Sequence, residues 1–209
     1  MRWRRAAGPA VTPDRFVLIA EETGMIVPLG RWVLERACRD AAGWGVDTLL
    51  SVNVAARQVR EPGFVPDLER ILADTGWPGD RLQVELTETD LMGGAATLET
   101  LHAIAARGVR IAIDDFGTGY SNLAYLRRLP VHTLKLAAPF VRDIATDELD
   151  ADIAALLVRL GHGLGMTVVA EAVETGEQRD RLRALGCDVA QGYQFAPPLP
   201  AEQVPAHLR

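Results

Sequence analysis

Val109-Arg110-Ile111-Ala112-Ile113-Asp114-Asp115 is the stretch on which the reading of the fold turns. Residues two apart on a strand share a face, so Val109, Ile111 and Ile113 make an apolar face, while Ala112 and Asp114 make a second one that becomes polar toward the C-terminal end. Five more short β-rich runs repeat the pattern, at 49–54, 82–88, 133–137, 167–174 and 187–195. Their second faces carry Ser51 and Asn53; Gln83, Glu85 and Thr87; Thr133 and Lys135; Glu171; and Gln191. Segments with helical periodicity separate the runs. Over 95–107, Leu98, Leu101, Ile104 and Ala105 share a face, and over 151–164 Ile153, Leu156, Leu157 and Leu160 do so. Gly108 and Gly165 stand where helix C-caps are expected.

Alternating strands and helices predict parallel βα units. The run starts lie 33, 27, 24, 34 and 20 residues apart, near the roughly 30 residues per unit of a (β/α)8 barrel. The rival is an open, doubly wound sheet, which collects its polar strand ends at one switch point supplied by two or three strands. Here nearly every strand contributes, so the expected fold is α/β, a TIM-type barrel whose lumen receives the polar groups of all six runs.

Composition bounds the rest. The 209 residues are 48% hydrophobic and 24% charged with a net charge of −6, which describes one globular domain with a full core. A disordered chain is excluded, and no stretch approaches the roughly 18 uncharged apolar residues of a membrane span. Mild acidity gives no reason to expect duplex nucleic acid as a partner, while a small phosphorylated ligand stays compatible. Cys38 and Cys187 form no short-spaced pair, so neither a disulfide framework nor a cysteine zinc site is indicated. The basic start at Met1–Arg5 is followed by residues 6–11, too short and broken for a signal peptide, and the expected location is cytoplasmic. Of 22 basic residues, Lys135 is the one lysine, which suggests a place where arginine is not tolerated.

Asn53, Glu85, Asp114 and Asp115 offer only oxygen donors, a set suited to Mg²⁺ or Mn²⁺ rather than zinc. One strand-end carboxylate alone reads equally well as a helix cap or a surface charge. Several on convergent strands repel one another unless a cation joins them, and two such ions would make a phosphoester-hydrolysing site. Lys135 could hold a nucleophile or a phosphate oxygen there. Glu171 shares the face as ligand or general base. The loop Asp115-Phe116-Gly117-Thr118-Gly119-Tyr120-Ser121 has two glycines two apart and free backbone N–H groups, but matches neither the P-loop nor the dinucleotide spacing. The four histidines fall in no ligand spacing.

Taken with Ser51-Val52-Asn53, Val84-Glu85-Leu86-Thr87-Glu88, Leu134-Lys135-Leu136, Ala170-Glu171-Ala172-Val173-Glu174 and Gln191-Gly192-Tyr193, the string Asp114 to Ser121 resembles the EAL-domain family, bacterial phosphodiesterases specific for cyclic di-GMP. The likeness runs from Arg2 to about Leu199. It implies a modified TIM barrel with Mg²⁺ or Mn²⁺, in an intact family site two ions, on Asn53, Glu85, Asp114 and Asp115. It implies Glu171 and Lys135 beside the attacking water, Arg2 on a substrate phosphate and Gln191 at the site. Glu88 and Glu174 are implied as supports of the active-site loop, and Phe116, Gly117, Thr118, Gly119 and Tyr120 as the loop coupling metal binding to a homodimer. The implied product is linear pGpG, with a fused or separate sensor or cyclase domain as partner. Three positions depart from the family pattern. No Glu-Ala-Leu precedes Arg2-Trp3, so the chain is expected to lack the N-terminal antiparallel strand and part of the next; Ala137 stands for an aspartate; and Ala172 stands for a glycine. Two functions stay open: the phosphodiesterase, and a catalytically inactive EAL module that binds cyclic di-GMP or a protein partner.

Overall fold

The computed structural model of the chain describes residues 11–119 and 123–208. Among the described residues two helices come first, α1 (Pro13–Thr23) and α2 (Ile26–Ala42). Then follow β1 (Leu50–Asn53), α3 (Ala56–Val59), α4 (Phe64–Thr75), β2 (Leu82–Thr87), α5 (Glu88–Leu91), α6 (Ala95–Ala105) and β3 (Arg110–Phe116). The second half holds α7 (Leu123–Leu126), β4 (Thr133–Leu136), α8 (Pro139–Arg142), α9 (Glu148–Gly163), β5 (Thr167–Ala170), α10 (Gly176–Ala184) and β6 (Val189–Ala190).

The six strands form one sheet in the order β1-β2-β3-β4-β5-β6, every pair parallel. A strand order that never reverses has no switch point. Because parallel crossovers are right-handed, each returning helix lands on the same side, and the sheet curls with its other face inward. Glycine lets one of these helices approach closely: Gly161 of α9 lies against the side chains of Val168 and Leu134. The core sits on this outer face, where Val84, Leu86, Ile111, Ile113, Leu134, Leu136 and Val168 pack against the helices.

A chain of side-chain bonds that reaches past an intervening strand shows the curl of the inner face. Gln83 on β2 donates to Ser51 Oγ on β1 at 2.8 Å and accepts from Thr133 Oγ1 on β4 at 2.7 Å. The two meet across β3 because the intervening inner residue is Ala112, in register with both Glu85 and Thr133 and only a methyl group deep. Among the described residues β6 does not pair with β1, so the six strands form an arc of a barrel. No helix of the described residues is long and apolar enough to cross a membrane.

Two of the runs are shorter as strands than their sequence suggests. The run 167–174 is strand only to Ala170, because Ala172 takes the left-handed conformation (φ 54°) and turns the chain out of the sheet. The run 187–195 is strand only at Val189–Ala190, since the Asp188 carboxylate accepts from Val168 N–H at 2.7 Å before it and a turn at Gly192 follows. Glu88 begins α5 rather than ending β2, with Thr87 Oγ1 accepting from Asp90 N–H as its N-cap. Gly108 and Gly165 follow their helices with φ of 80° and 75°, the left-handed geometry expected there. Arg2, Tyr120 and Ser121 lie outside the described residues.

Candidate active site

A β-bulge organises the site. Ile113 is opposite Leu134 and Phe116 opposite Leu136, so two residues of β3, Asp114 and Asp115, face the single residue Lys135 of β4. Plain alternation would send neighbouring aspartates to opposite faces of the sheet. Asp115 instead adopts φ 52°, and its carboxylate joins those of Asp114 and Glu171 with one oxygen of each within 4.8 Å of the others. The left-handed conformation is tolerated by aspartate better than by most residues. Its own amide donates to Asp114 Oδ1 at 3.0 Å, and its carbonyl accepts from Thr118 Oγ1 at 2.8 Å.

Lys135 is the hub. The residue is 3% exposed, and its ammonium sits 2.7 Å from Glu85 Oε2, 3.0 Å from Asp114 Oδ1 and 2.6 Å from Glu171 Oε1. Burial would lower its pKa, but Glu85, Glu171 and Asp114 outweigh that penalty and hold it well above the ordinary lysine range. Burial raises Glu171, opposed by Lys135 and reinforced by Asp114 and Glu85. Asp115 is raised by burial and by Asp114, with Lys135 acting against both. Three carboxylates thus contact one ammonium, and with Asp115 beside them the cluster carries a net formal charge of −3 when all four are ionised. That excess, built wholly of oxygen donors, is the kind of environment a hard divalent cation neutralises.

The remaining residues frame this cluster. Asn53 is exposed on β1, in register with Glu85. Glu88, buried at the start of α5, accepts from Gly117 N–H at 3.1 Å and so reaches the loop after the bulge. Gly117 has φ 94°, and a Cβ there would stand 2.8 Å from the Phe140 ring. Phe116 is buried, while Thr118 and Gly119 are exposed. Gln191 is exposed just beyond β6; its amide donates to Ala170 O at 2.8 Å and its carbonyl accepts from Val173 N–H at 3.0 Å. Glu174 is exposed and is held through its amide, which donates to Gln178 Oε1 at 2.7 Å. Ala137, on Lys135's side of the chain, is fully buried, so no carboxylate enters from that position. Gln178 is a residue the sequence reading passes over, although Thr175-x-x-Gln178 is a legible capping-box pattern.

The family model described as EAL domain matches residues 1–198. The chain belongs to the EAL domain family. It is 41% identical over 213 residues to the Pseudomonas aeruginosa protein named bifunctional diguanylate cyclase/cyclic di-GMP phosphodiesterase MucR, covering all of this chain and 31% of that protein. It is 42% identical over 212 residues to the uncharacterized protein Rv1357c of Mycobacterium tuberculosis, covering 97% of this chain and 69% of the relative. The solved structure titled PaMucR phosphodiesterase, c-di-GMP complex, superposes with a TM-score of 0.92 at 41% identity, over 97% of this chain and 84% of that one. This EAL domain therefore corresponds to about a third of MucR's length. Its bulge, lysine hub and acidic cluster all lie at the C-terminal ends of the strands, where barrel active sites are built.

Proposed function

We propose that this EAL domain is a divalent-metal-dependent phosphodiesterase that hydrolyses cyclic di-GMP to linear pGpG. The observation that carries the reading is the Asp114-Asp115 bulge facing Lys135, which gathers an excess of carboxylates at the strand ends of a chain that is 41% identical to MucR. The donor set fits Mg²⁺ or Mn²⁺: Asn53, Glu85, Asp114 and Asp115 would hold the cation, with Glu171 at its margin as ligand or base. A bound divalent cation supplies charge neutralisation at the phosphodiester and Lewis-acid activation of water.

The protein's own groups do the remaining work. Lys135, held by three carboxylates, fixes the direction of the Glu171 carboxylate and supplies positive charge beside the reacting phosphate. Burial raises the proton affinity of Glu171, which suits it to take the proton of the attacking water. Water oxygen bonds to phosphorus, the bond from phosphorus to the ribose 3′-oxygen breaks, and the leaving oxygen takes up a proton. One cut opens the ring to a dinucleotide with a 5′-phosphate. Arg2 would contact a substrate phosphate and Gln191 would border the site, while the 116–120 loop would link the metal site to a homodimer.

Purified protein incubated with cyclic di-GMP should release pGpG in the presence of Mg²⁺ or Mn²⁺ and stop on chelation, and Glu171→Gln should lower turnover by at least about 100-fold, the scale of a lost general base. Binding of cyclic di-GMP by calorimetry without any release, with either ion, would overturn the catalytic reading in favour of a binding module.

A further inference from the structure

We propose that Gln178 is a positioning residue for Glu171, a reading that rests on the function proposed above. Glu171 lies just past the end of β5; its amide donates to Leu136 O at 3.3 Å, and two residues on Val173 donates to Gln191 O and accepts from Gln194 N–H, each at 3.0 Å. The segment that follows passes through the left-handed Ala172 and returns to α10. Gln178, 7% exposed, meets it there: Oε1 accepts from the amides of Glu174 at 2.7 Å and Thr175 at 3.0 Å. Its Nε2 donates to Arg142 O at 2.8 Å, at the end of α8. The helix α8 follows β4, the strand that carries Lys135.

A closed circuit results. Lys135 contacts Glu171 directly at 2.6 Å, and the segments that follow the paired strands β4 and β5 are also tied to each other through one carboxamide. A single carboxamide can do this because it combines an acceptor with two lone pairs and a donor in one rigid plane. No apolar or purely acidic side chain of that size supplies both halves. Val173 holds this segment to the turn at 191–194, and the Gln178 bonds register it against α8, and with it the Glu171 carboxylate against Lys135 and the cation.

The test compares Gln178→Leu, Gln178→Glu and a control, Thr175→Ala, in the full chain, each checked for folding by circular dichroism and thermal unfolding. Thr175→Ala removes the hydroxyl that accepts from Gln178 N–H, weakening α10 while leaving all three carboxamide bonds possible. Gln178→Leu should lower kcat by about 10- to 100-fold and weaken Mn²⁺ binding on a similar scale, as loss of an outer-shell partner does, with KM for cyclic di-GMP changed less than about twofold. Gln178→Glu retains the acceptor for Glu174 and Thr175 but loses the donor to Arg142 O, and should fall between. Thr175→Ala, at a comparable loss of melting temperature, should change neither quantity. Equal effects of Gln178→Leu and Thr175→Ala would overturn the proposal and leave the phosphodiesterase reading standing. Selective loss of Mn²⁺ affinity in Gln178→Leu, in a protein that hydrolyses nothing, would uphold positioning and overturn the phosphodiesterase. A wild-type chain that binds no Mn²⁺ overturns both.

Discussion

Ala172→Gly should make this protein more stable. Ala172 has φ 54°, where a Cβ crowds the following carbonyl oxygen at a cost of about 1–2 kcal/mol for an L-residue. Its side chain is exposed, so removing the methyl group sacrifices no buried contact. Glycine adds freedom to the unfolded chain, which offsets about 0.4–1 kcal/mol of that relief. The net expectation is a gain of about 0.5–1 kcal/mol, equivalent to a rise in Tm of about 1–4 °C for a domain of this size. Urea unfolding of the metal-free protein followed by circular dichroism is the assay, with the midpoint moving up and the slope unchanged, since the surface exposed on unfolding is the same. Ala172→Asn should give a smaller gain, because asparagine tolerates the left-handed region, and Ala172→Val should lose stability through β-branching. If Ala172→Gly unfolds at or below the wild-type midpoint, the turn carries no such strain and the conformational account of Glu171's segment is wrong.

Two other outcomes follow from the site's geometry. Lys135→Met removes the ammonium from a largely buried carboxylate cluster and should cost about 3–5 kcal/mol in the metal-free protein, part of it recovered by Mn²⁺, in urea unfolding with and without the ion. Because the Lys135 pKa is raised on folding, its stabilisation is fully present below the ordinary lysine value of 10.5 and declines as pH climbs through the higher folded value. The gap in unfolding free energy between wild type and Lys135→Met should therefore hold steady to about pH 10 and narrow above it; a gap that widens in alkali refutes the hub. Gly117→Ala places a Cβ at φ 94° and 2.8 Å from the Phe140 ring, so thermal unfolding should show a loss of about 1–3 kcal/mol, and an unchanged Tm would mean the loop packs otherwise.

Much of this domain is legible in the sequence because strand periodicity is a local property. Alternation alone separates Gln83 and Glu85 from Val84 and Leu86, and Thr133 and Lys135 from Leu134 and Leu136, and the structure buries each set on the side so assigned. The regular spacing of runs with polar ends on nearly every strand already favours a curled, singly wound sheet over a doubly wound one, and residue type alone makes the site an oxygen cluster around one lysine. Other features lie beyond any local pattern. The bulge that brings Asp115 to the same side as Asp114 depends on how β3 registers against β4, and alternation predicts the opposite. The ends of the last two runs leave the strand conformation because Ala172 turns and Asp188 reaches Val168, choices made by tertiary hydrogen bonds. Lys135 bonds to residues 50, 21 and 36 positions away, and Gln178 to a carbonyl 36 positions back. Sequence alone determined which groups face the lumen, because side-chain direction repeats every two residues along a strand. Only the tertiary structure decided which of them touch, because contact depends on register and curvature, and these are set by the packing of the whole sheet against its helices.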